Sequence, residues 1–383
     1  MNYADLHIHI GRSLDGKAVK ITASPNLTLP EVIRVSRDIK GLHMIGIVDS
    51  HTRGVIRDYN ELIAQGFLHA ISGGGYQSGN LVIIPGIEAE LQVGHGHAHF
   101  LVYFPTITVL QEFAACFLSR VSNWQLSSQK IHMDVSEWLK TAEAYGGLWL
   151  PAHAFTPHKG LYGACCSRIP DVLSVFPAAL EMGLSADRRM AQGISELDDV
   201  VLFSNSDAHS LPNIAREYNE MHLSDLSFNG LEAIIKKKSG QLYRNFGLHP
   251  RIGKYHRTFC LDCSQVVSGE APMLICPVCH SHHVVPGVLD RLAHIADREI
   301  TTYQSDPNYV YRVPLAYLPG IGSKTYQRLL NKFGTELTVY HEAEFDDLSS
   351  VVGDKTARII MQAKVGTLKF TTGGGGFFGR VTT

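Results

Sequence analysis

The sequence contains no apolar run that reaches the roughly 18 residues that a membrane-spanning helix requires. It also lacks an apolar segment of the signal-peptide kind at its amino terminus, where a stretch rich in aspartate and histidine stands instead. We therefore expect no membrane partner and a cytoplasmic location.

Charge is also scarce, since charged residues make up only 18% of the chain and the formal net charge is −2. This balance argues against a protein whose whole surface is basic and binds nucleic acid. Hydrophobic residues occupy 45% of the 383 positions, as in globular proteins that form a core. The length suits a barrel of roughly 200 to 250 residues followed by smaller parts.

Cysteines are few and odd in number, seven in all, which argues against a disulfide framework. Four of them form two Cys-x-x-Cys pairs that lie 12 residues apart, a spacing that offers zinc a closed tetrahedral set of thiolates. We expect one structural zinc, bound by Cys260, Cys263, Cys276 and Cys279. The remaining cysteines are expected to be buried thiols, namely Cys116, Cys165 and Cys166.

Short apolar runs alternate with helical patterns from residue 1 to about residue 250. Buried strands are predicted at 44–48, 81–84, 98–104, 147–150 and 200–203. Helices are predicted at 28–40, 111–121 and 134–145. The alternation of strand and helix predicts an α/β fold with a parallel sheet.

Potential metal ligands fall where these strands end, and the opening stretch places Asp5, His7 and His9 on one face of a strand. Because the carboxyl ends of the strands in a parallel barrel open on one mouth, we expect the ligands to meet there. The predicted metal ligands are His7, His9, Asp49, His51, Glu88, His99, His153, Asp207 and His209. We expect Asp5 to orient one of the histidines from behind.

Nitrogen and oxygen ligands without sulfur suit zinc, manganese, magnesium or iron. We expect two or three such divalent ions, with Glu88 as the carboxylate that two of them share. Adjacent ions of this kind favour the hydrolysis of phosphate esters, because they stabilise both the attacking and the leaving oxygen. The residues expected to be catalytic are His7, His9, Glu88, His153 and Asp207.

Two glycine turns, each followed by a helical pattern, lie near the carboxyl terminus. A helix that begins at a glycine turn presents free backbone N–H groups to a phosphate. The residues predicted to bind a nucleic-acid backbone are Gly320, Gly322, Lys324, Gly353 and Lys355. The alternative is a helical hairpin that only packs on the barrel or on another subunit.

Two glycine-rich stretches have neither a strand nor a helix pattern. Residues 71–80 are interpreted either as a substrate loop or as a flexible crossover. The tail, residues 371–383, is interpreted either as disordered or as a segment that orders on a ligand.

The ligand motifs resemble those of the polymerase and histidinol phosphatase (PHP) superfamily. The matching positions are Asp5-x-His7-x-His9, Pro85-Gly86-Ile87-Glu88, His99, Pro151-Ala152-His153 and Ser206-Asp207-Ala208-His209. The resemblance implies a distorted (β/α)7 barrel over residues 1–250 that binds up to three metals. At its second motif the superfamily has Thr-Asp-His, whereas Ser50 separates Asp49 from His51 here.

The whole chain resembles the endonuclease Q family of that superfamily. The resemblance implies a PHP barrel (1–250), a four-cysteine zinc module with a connecting helix (251–310), a helix-hairpin-helix-like DNA-binding region (311–370) and a Gly-rich tail (371–383). It implies a DNA repair endonuclease that nicks 5′ of uracil, hypoxanthine, xanthine or an abasic site. Damaged DNA would be the partner, in the nucleoid, and a sliding clamp or another repair protein is a candidate second partner.

Recognition of a damaged base would require it to leave the helix, because pairing hides the edge that distinguishes it. Candidate residues for neutralising phosphate near the barrel mouth are Lys20, Arg53, His158 and Lys159. Two alternatives remain open, a PHP-type phosphatase of a small phosphate monoester and a non-catalytic DNA-binding accessory protein. The region after residue 250 argues against the phosphatase, since a small substrate needs neither a zinc module nor a DNA-type hairpin.

Overall fold

The computed structural model describes residues 1–300 and 306–382. Residues 301–305, at the end of the predicted zinc module and connecting helix, and Thr383 of the tail lie outside the described residues. The described chain has a mixed α/β fold. None of its helices has the length and apolar character of a membrane span.

The strands and helices are numbered in chain order. The strands are β1 (Asn2–Ile8), β2 (Met44–Ile47), β3 (His69–Ala70), β4 (Tyr76–Ser78), β5 (Leu81–Val93), β6 (Gly96–Tyr103), β7 (Leu148–Pro151), β8 (Ala179–Glu181), β9 (Val201–Phe203), β10 (Tyr218–His222), β11 (Gln241–Gly247), β12 (Phe259–Cys260), β13 (Gln265–Val266), β14 (Val284–Val285) and β15 (Tyr309–Tyr311). The helices are α1 (Leu29–Arg34), α2 (Arg53–Ala64), α3 (Ile107–Ala115), α4 (Val135–Ala144), α5 (Arg188–Ala191), α6 (Phe228–Ile235), α7 (Val288–Ile295), α8 (Ser323–Phe333), α9 (Glu336–His341), α10 (Phe345–Val352) and α11 (Asp354–Lys364).

The large sheet has the order β15-β11-β10-β1-β2-β5-β4-β3, and β6 and β7 continue it from β5. Strands β1, β2 and β5 are parallel neighbours, as the alternation predicts. The prediction of a wholly parallel sheet is wrong, because β5, β6 and β7 pair in antiparallel fashion and β10 lies antiparallel to β1. The short connection between β5 and β6 accounts for this, since a turn at Gly94-His95 can only reverse the chain.

The predicted strands and helices of the first 250 residues are present, with shifted ends. The helix predicted at 28–40 forms α1 followed by a π-helical turn at Val35–Lys40, and it ends at Gly41 in the left-handed conformation. Strand β5 runs well beyond its predicted end at residue 84, so that Glu88 lies inside a strand and not after one. The glycine-rich stretch 71–80 contains β4, which pairs with β5.

The central strands are buried on both faces. Alternate residues such as Leu6, Val82 and Leu101 share one apolar cluster with the helix α6. The opposite faces of the same sheet, with Ile45 and Phe100 among them, pack against helices α1 to α4 and α7 in a second and larger cluster. Burial on both sides explains why these strands read as continuous apolar runs.

The chain after β11 both joins this core and builds a separate one. Strand β15 pairs in parallel with β11, and α7 packs in the larger cluster of the first 250 residues. Helices α8 to α11 enclose a cluster of their own. A buried ion pair between Lys40 and Glu336, with Nζ and Oε2 3.0 Å apart, connects α9 to the π-helical turn.

The tail forms a β-hairpin, so the interpretation of residues 371–383 as disordered is wrong for the described part. Phe370 pairs with Val381, and Gly374 pairs with Phe377 around a turn at Gly375 and Gly376. Both turn residues have positive φ, at 59° and 87°, which glycine adopts without strain.

Candidate metal centre

Strand β1 brings its two histidines together at the centre of the site. The Nε2 atoms of His7 and His9 are 3.3 Å apart, and both side chains are fully buried. A β-bulge between Asp5 and Ile8 interrupts the register with β2 at this point. The two ring nitrogens therefore converge on one position, which suits a cation that both can bind.

Glu88 lies at the middle of the cluster and contacts histidines from three strands or their ends. Its Oε1 is 2.8 Å from His99 Nδ1, 3.4 Å from His153 Nε2 and 3.5 Å from His7 Nε2. Its Oε2 is 3.5 Å from His9 Nε2 and accepts a 2.8 Å hydrogen bond from Lys20 Nζ. One carboxylate thus faces two groups of potential ligands, which is the position of a bridging ligand.

Asp207 completes the cluster from the loop after β9. Its Oδ1 lies 3.5 Å from His7 Nε2, 3.4 Å from His9 Nε2 and 3.4 Å from His209 Nδ1. Asp207 has φ of +46° and His153 has φ of +28°, which are unfavourable for residues with a Cβ. Backbone strain of this kind persists where the surroundings hold a functional side chain in place.

Carboxylates behind β1 hold both histidine rings in orientation. Glu181 at the end of β8 binds His7 Nδ1 with its two oxygens at 3.0 and 3.1 Å. Asp49 binds His9 Nδ1 at 3.0 and 3.1 Å and also accepts the backbone N–H of Ile10. With a proton on each Nδ1, each Nε2 presents its lone pair to the cluster.

Two predicted roles differ from these placements. The sequence predicts Asp49 as a metal ligand, but its oxygens contact the far side of His9. It predicts that Asp5 orients a histidine, but the Asp5 carboxylate accepts the backbone N–H groups of Ser206 and Ala215. Glu181 has the orienting role for His7, and the sequence does not reveal it, because β8 is three residues long and has no distinctive pattern.

Three overlapping groups of potential ligands result, each with its ligand atoms within 4.8 Å of one another. They are His7, His9 and Glu88; His9, Asp207 and His209; and Glu88, His99 and His153. Among the described residues, Asp49 and His51 belong to none of these groups. His51 is nevertheless buried, and its Nδ1 has no hydrogen-bond partner in the described chain.

The charges of the cluster support a cation site. Burial opposes ionisation of Glu88, but His99 and Lys20 outweigh it and hold the pKa of Glu88 well below its usual value. Burial opposes the charge of Asp207 as well, and His7 lowers its pKa well below the usual range. Both carboxylates are therefore ionised at neutral pH, and with the imidazole nitrogens they form a donor set suited to divalent metals.

Cys260, Cys263, Cys276 and Cys279 lie together on the small sheet of β12, β13 and β14, with all four sulfurs within 4.8 Å of one another. Sγ of Cys260 is 3.6 Å from that of Cys279, and Sγ of Cys263 is 3.9 Å from that of Cys276. This arrangement suits a closed structural zinc site. The prediction of three further buried thiols is correct for Cys166, whereas Cys165 is partly exposed and Cys116 is exposed.

Two cavities open from the cluster and share His153, Asp207 and His209. The first, of about 400 Å³, is lined by Lys20, His158 and Lys159, three of the residues that the sequence predicts near a phosphate. The second, of about 450 Å³, extends toward Tyr255 and Phe378. The fourth predicted residue, Arg53, instead lies against the Trp124 ring, 5.7 Å from its centroid.

The two carboxyl-terminal glycine turns lie next to each other. Gly322 caps α8 and Gly353 caps α11, and a Cβ at either position would meet open space. A Cβ at Gly320 would lie 3.2 Å from Thr356 Oγ1, in the first turn of α11. Lys324 and Lys355 are exposed in the first turns of the two helices. The structure therefore places two helix N-termini and two lysines on one surface.

No known family model matches the chain. The chain is 39% identical to the uncharacterized protein YqxK of Bacillus subtilis (strain 168), over 99% of this chain and 98% of that protein. It is 31% identical over 301 residues to an uncharacterized protein of Methanocaldococcus jannaschii, a match that spans 73% of this chain and 36% of the longer protein.

Solved structures with the same fold include the lesion-specific endonuclease PfuEndoQ from Pyrococcus furiosus. It has a TM-score of 0.82 and 28% sequence identity, and the match covers 99% of this chain and 94% of that chain. Endonuclease Q in complex with a 27-mer duplex substrate, with an abasic lesion at the active site, matches with the same TM-score and identity over 99% of this chain and 96% of that chain. The resemblance that the motifs indicate is thus confirmed at the level of the whole described fold.

Proposed function

We propose that this chain, which belongs to the same family as YqxK and has the fold of endonuclease Q, is a metal-dependent DNA repair endonuclease. In this proposal it hydrolyses the phosphodiester on the 5′ side of a deaminated base, uracil, hypoxanthine or xanthine, or of an abasic site. The sheet and helices of residues 1–250 would form the distorted seven-stranded barrel. The four-cysteine module (251–310) and the helical region (311–370) would then be DNA-binding additions, with residues 371–383 as the tail.

The observation that carries the proposal is the cluster around Glu88. Seven side chains supply its three overlapping groups of ligand atoms. They lie at the junction of two cavities, in a chain that matches a lesion-specific endonuclease over nearly its full length. A phosphatase of small monoesters would account for the cluster but not for the region after residue 250.

The residues fit two or three divalent ions. His7, His9, Glu88 and Asp207 would hold one, Glu88, His99 and His153 a second, and His209 with the buried His51 are the candidates for a third. When bound, such ions supply a nucleophile at neutral pH and neutralise charge on the phosphate. Zinc, manganese, magnesium and iron all suit these ligands.

The protein's own side chains would prepare this site for the phosphodiester. Glu181 and Asp49 fix the rings of His7 and His9, so that the lone pairs of both Nε2 atoms point at the cluster. Lys20 and Lys159, at the wall of the first cavity, would attract the negative backbone on one side of the scissile bond. The arrangement positions a phosphate without requiring any one base sequence.

DNA would also contact the surface of the two glycine turns. The free N–H groups at the starts of α8 and α11 can each bind a phosphate oxygen, and Lys324 and Lys355 add positive charge beside them. Gly320, Gly322 and Gly353 would allow the close approach of the backbone that a helix-hairpin-helix motif uses. A damaged base would leave the duplex and enter a cavity beside the cluster, at a cost of about a few kcal/mol, which is least at a mismatch.

A nicking assay on a panel of substrates tests the proposal. The protein with Mn²⁺ or Mg²⁺ is incubated with end-labelled duplexes that contain one deoxyuridine, one deoxyinosine or one abasic site, beside an undamaged duplex and a chromogenic phosphate monoester. We expect nicks in the damaged duplexes alone. Turnover of the monoester alone would favour the phosphatase, and DNA binding without any turnover would favour an accessory protein.

The variant Asp207→Asn provides the control for contamination. It removes one ionised oxygen from the cluster, so nicking should be abolished while affinity for the duplex stays within severalfold. Equal loss of binding and cleavage would contradict the role of Asp207 in the chemical step.

A further inference from the structure

The second cavity is suited to a planar group held close to the metal cluster. It begins at His153, Asp207 and His209 and ends at the rings of Tyr255 and Phe378. Its volume of about 450 Å³ is sufficient for a nucleotide. Tyr255 is partly buried and contacts the His158 ring at 5.2 Å between centroids, whereas Phe378 is 39% exposed and has no equivalent ring contact among the described residues.

Phe378 reaches this cavity because the tail hairpin is fixed to the segment before the zinc module. The backbone N–H of Gly373 donates to Arg251 O at 2.7 Å, and that of Gly379 donates to Ile252 O at 2.9 Å. A Cβ at Gly379 would lie 2.0 Å from Thr371 O, so the two hairpin strands can approach only because this residue is glycine. The hairpin therefore holds Phe378 at a defined position.

Two cations connect the Phe378 ring to the rest of the site. The Arg216 guanidinium lies 5.9 Å from the ring centroid and donates hydrogen bonds to the carbonyls of Ser206 and Asp207, at 2.7 and 3.2 Å. The Lys254 ammonium lies 5.8 Å from the same centroid and 5.0 Å from that of Tyr255. An aromatic ring with cations beside it is a stacking surface for a base whose phosphates are negative.

We propose that the carboxyl-terminal hairpin, residues 370–381, supplies the specificity wall of the lesion cavity, and that Phe378 stacks on the extruded base of the target nucleotide. The inference rests on the proposed endonuclease function and adds the residue that distinguishes a base from an empty sugar. Phe378 contributes to cleavage only when the target nucleotide carries a base. The neighbouring Phe377 is 79% exposed and does not line the cavity, so it makes no such distinction.

A comparison of two lesions tests this inference. Single-turnover nicking rates and equilibrium affinities are measured for the full-length wild type, Phe378→Leu, Phe378→Trp and Phe377→Leu, on duplexes with one deoxyuridine or one abasic-site analogue. Leucine retains apolar volume without a flat ring. Loss of one base–aromatic stack should slow Phe378→Leu on the deoxyuridine duplex between about 5-fold and 150-fold. The rate on the abasic duplex should stay within about 2-fold, since no base is present to stack.

The other variants complete the test. Phe378→Trp should restore the deoxyuridine rate, and Phe377→Leu should resemble the wild type on both duplexes. Equal effects of Phe378→Leu on both lesions, or no effect on either, would overturn the inference. A wild type that nicks neither duplex would overturn the proposed function instead. The affinities then decide on Phe378, because a stacking role still requires weaker binding of the deoxyuridine duplex alone.

Discussion

The carboxylate of Glu181 accepts hydrogen bonds from the ring of His7, from the backbone N–H of His153 and from Asn205 Nδ2, at 2.8 to 3.1 Å. It contacts two potential ligands without itself facing the cluster. Carboxylates in this position raise the basicity of a metal-binding histidine and fix its tautomer. Glu181 is therefore a positioning residue, and its effect should appear in metal affinity.

The substitution Glu181→Gln should lower the affinity for the first barrel metal by about 10- to 100-fold, with the fold intact. The amide retains the size of the carboxylate but cannot hold the proton of His7 Nδ1 as strongly. Metal content after dialysis against graded chelator, with circular dichroism as the fold check, measures the effect. Glu196→Gln, in which a carboxylate that binds Tyr162 and Ile169 away from the cluster is changed, is the matched control. Equal metal retention by the two variants would contradict this role.

Glu217 gives the stability of the fold a dependence on pH. Its carboxyl is fully buried, and this burial raises its pKa to about 8, although a hydrogen bond from Leu248 N–H opposes the shift. The folded protein then holds a proton that the unfolded chain releases near its ordinary pKa. Stability from this group is complete below the unfolded pKa and is lost as pH rises through the folded pKa of about 8.

We expect the melting temperature of the wild type to fall relative to that of Glu217→Gln as pH rises from 6 to 9. The amide cannot ionise, so the variant lacks this contribution to the pH dependence. Thermal unfolding in buffers of constant ionic strength measures the difference. Parallel curves for the two proteins would rule out a neutral Glu217 in the folded state.

At the scale of elements, the two glycine turns act as a pair because α8 and α11 begin side by side. Lys324→Ala combined with Lys355→Ala should weaken binding of damaged and undamaged duplexes alike. The slope of log affinity against log salt should fall by about 1 for each lysine that contacts a phosphate. Fluorescence anisotropy over a salt series measures both quantities.

Lys236→Ala combined with Lys237→Ala, at the end of α6, removes the same charge elsewhere and should leave the slope unchanged. A slope that changes as much in this control as in the turn variant would mean that net charge, not the paired turns, governs binding.

The elements also show what the sequence could predict. His7, His9, Glu88, His99, His153, Asp207 and His209 could be identified because their residue types are rare at the ends of apolar runs. The antiparallel β5–β6 hairpin could not, since apolar runs buried on both faces carry no sign of strand direction. Glu181 and the tail hairpin escape prediction for a related reason. Three residues of β8 are too few for a pattern, and the tail strands depend on contacts with residues 251–254.

At the scale of the whole molecule, the regions before and after residue 250 are joined by buried polar contacts. Lys40 and Glu336 are 3% and 6% exposed, and Lys40 also donates to Pro212 O at 3.1 Å. Tyr326 in α8 donates to the other oxygen of Glu336. These contacts hold the surface of the glycine turns at a fixed position relative to the metal cluster.

Lys40→Met should destabilise the protein by about 3 to 5 kcal/mol, because it leaves the Glu336 carboxylate buried without its partner. The double variant Lys40→Met, Glu336→Gln removes the orphaned charge and should recover part of that loss. Urea denaturation followed by fluorescence measures the three proteins. If the single and double variants lose equal stability, the ion pair does not connect the two regions.

The central claim is that the cluster around Glu88 cleaves DNA at a lesion. The most direct measurement maps the cut at nucleotide resolution in an end-labelled duplex with one deoxyuridine, using the wild type, the wild type with chelator and Asp207→Asn. The account predicts one cut on the 5′ side of the deoxyuridine, with a 3′ end that a polymerase can extend, by the metal-loaded wild type alone. An uncut duplex, or equal cutting of the undamaged duplex, would contradict it.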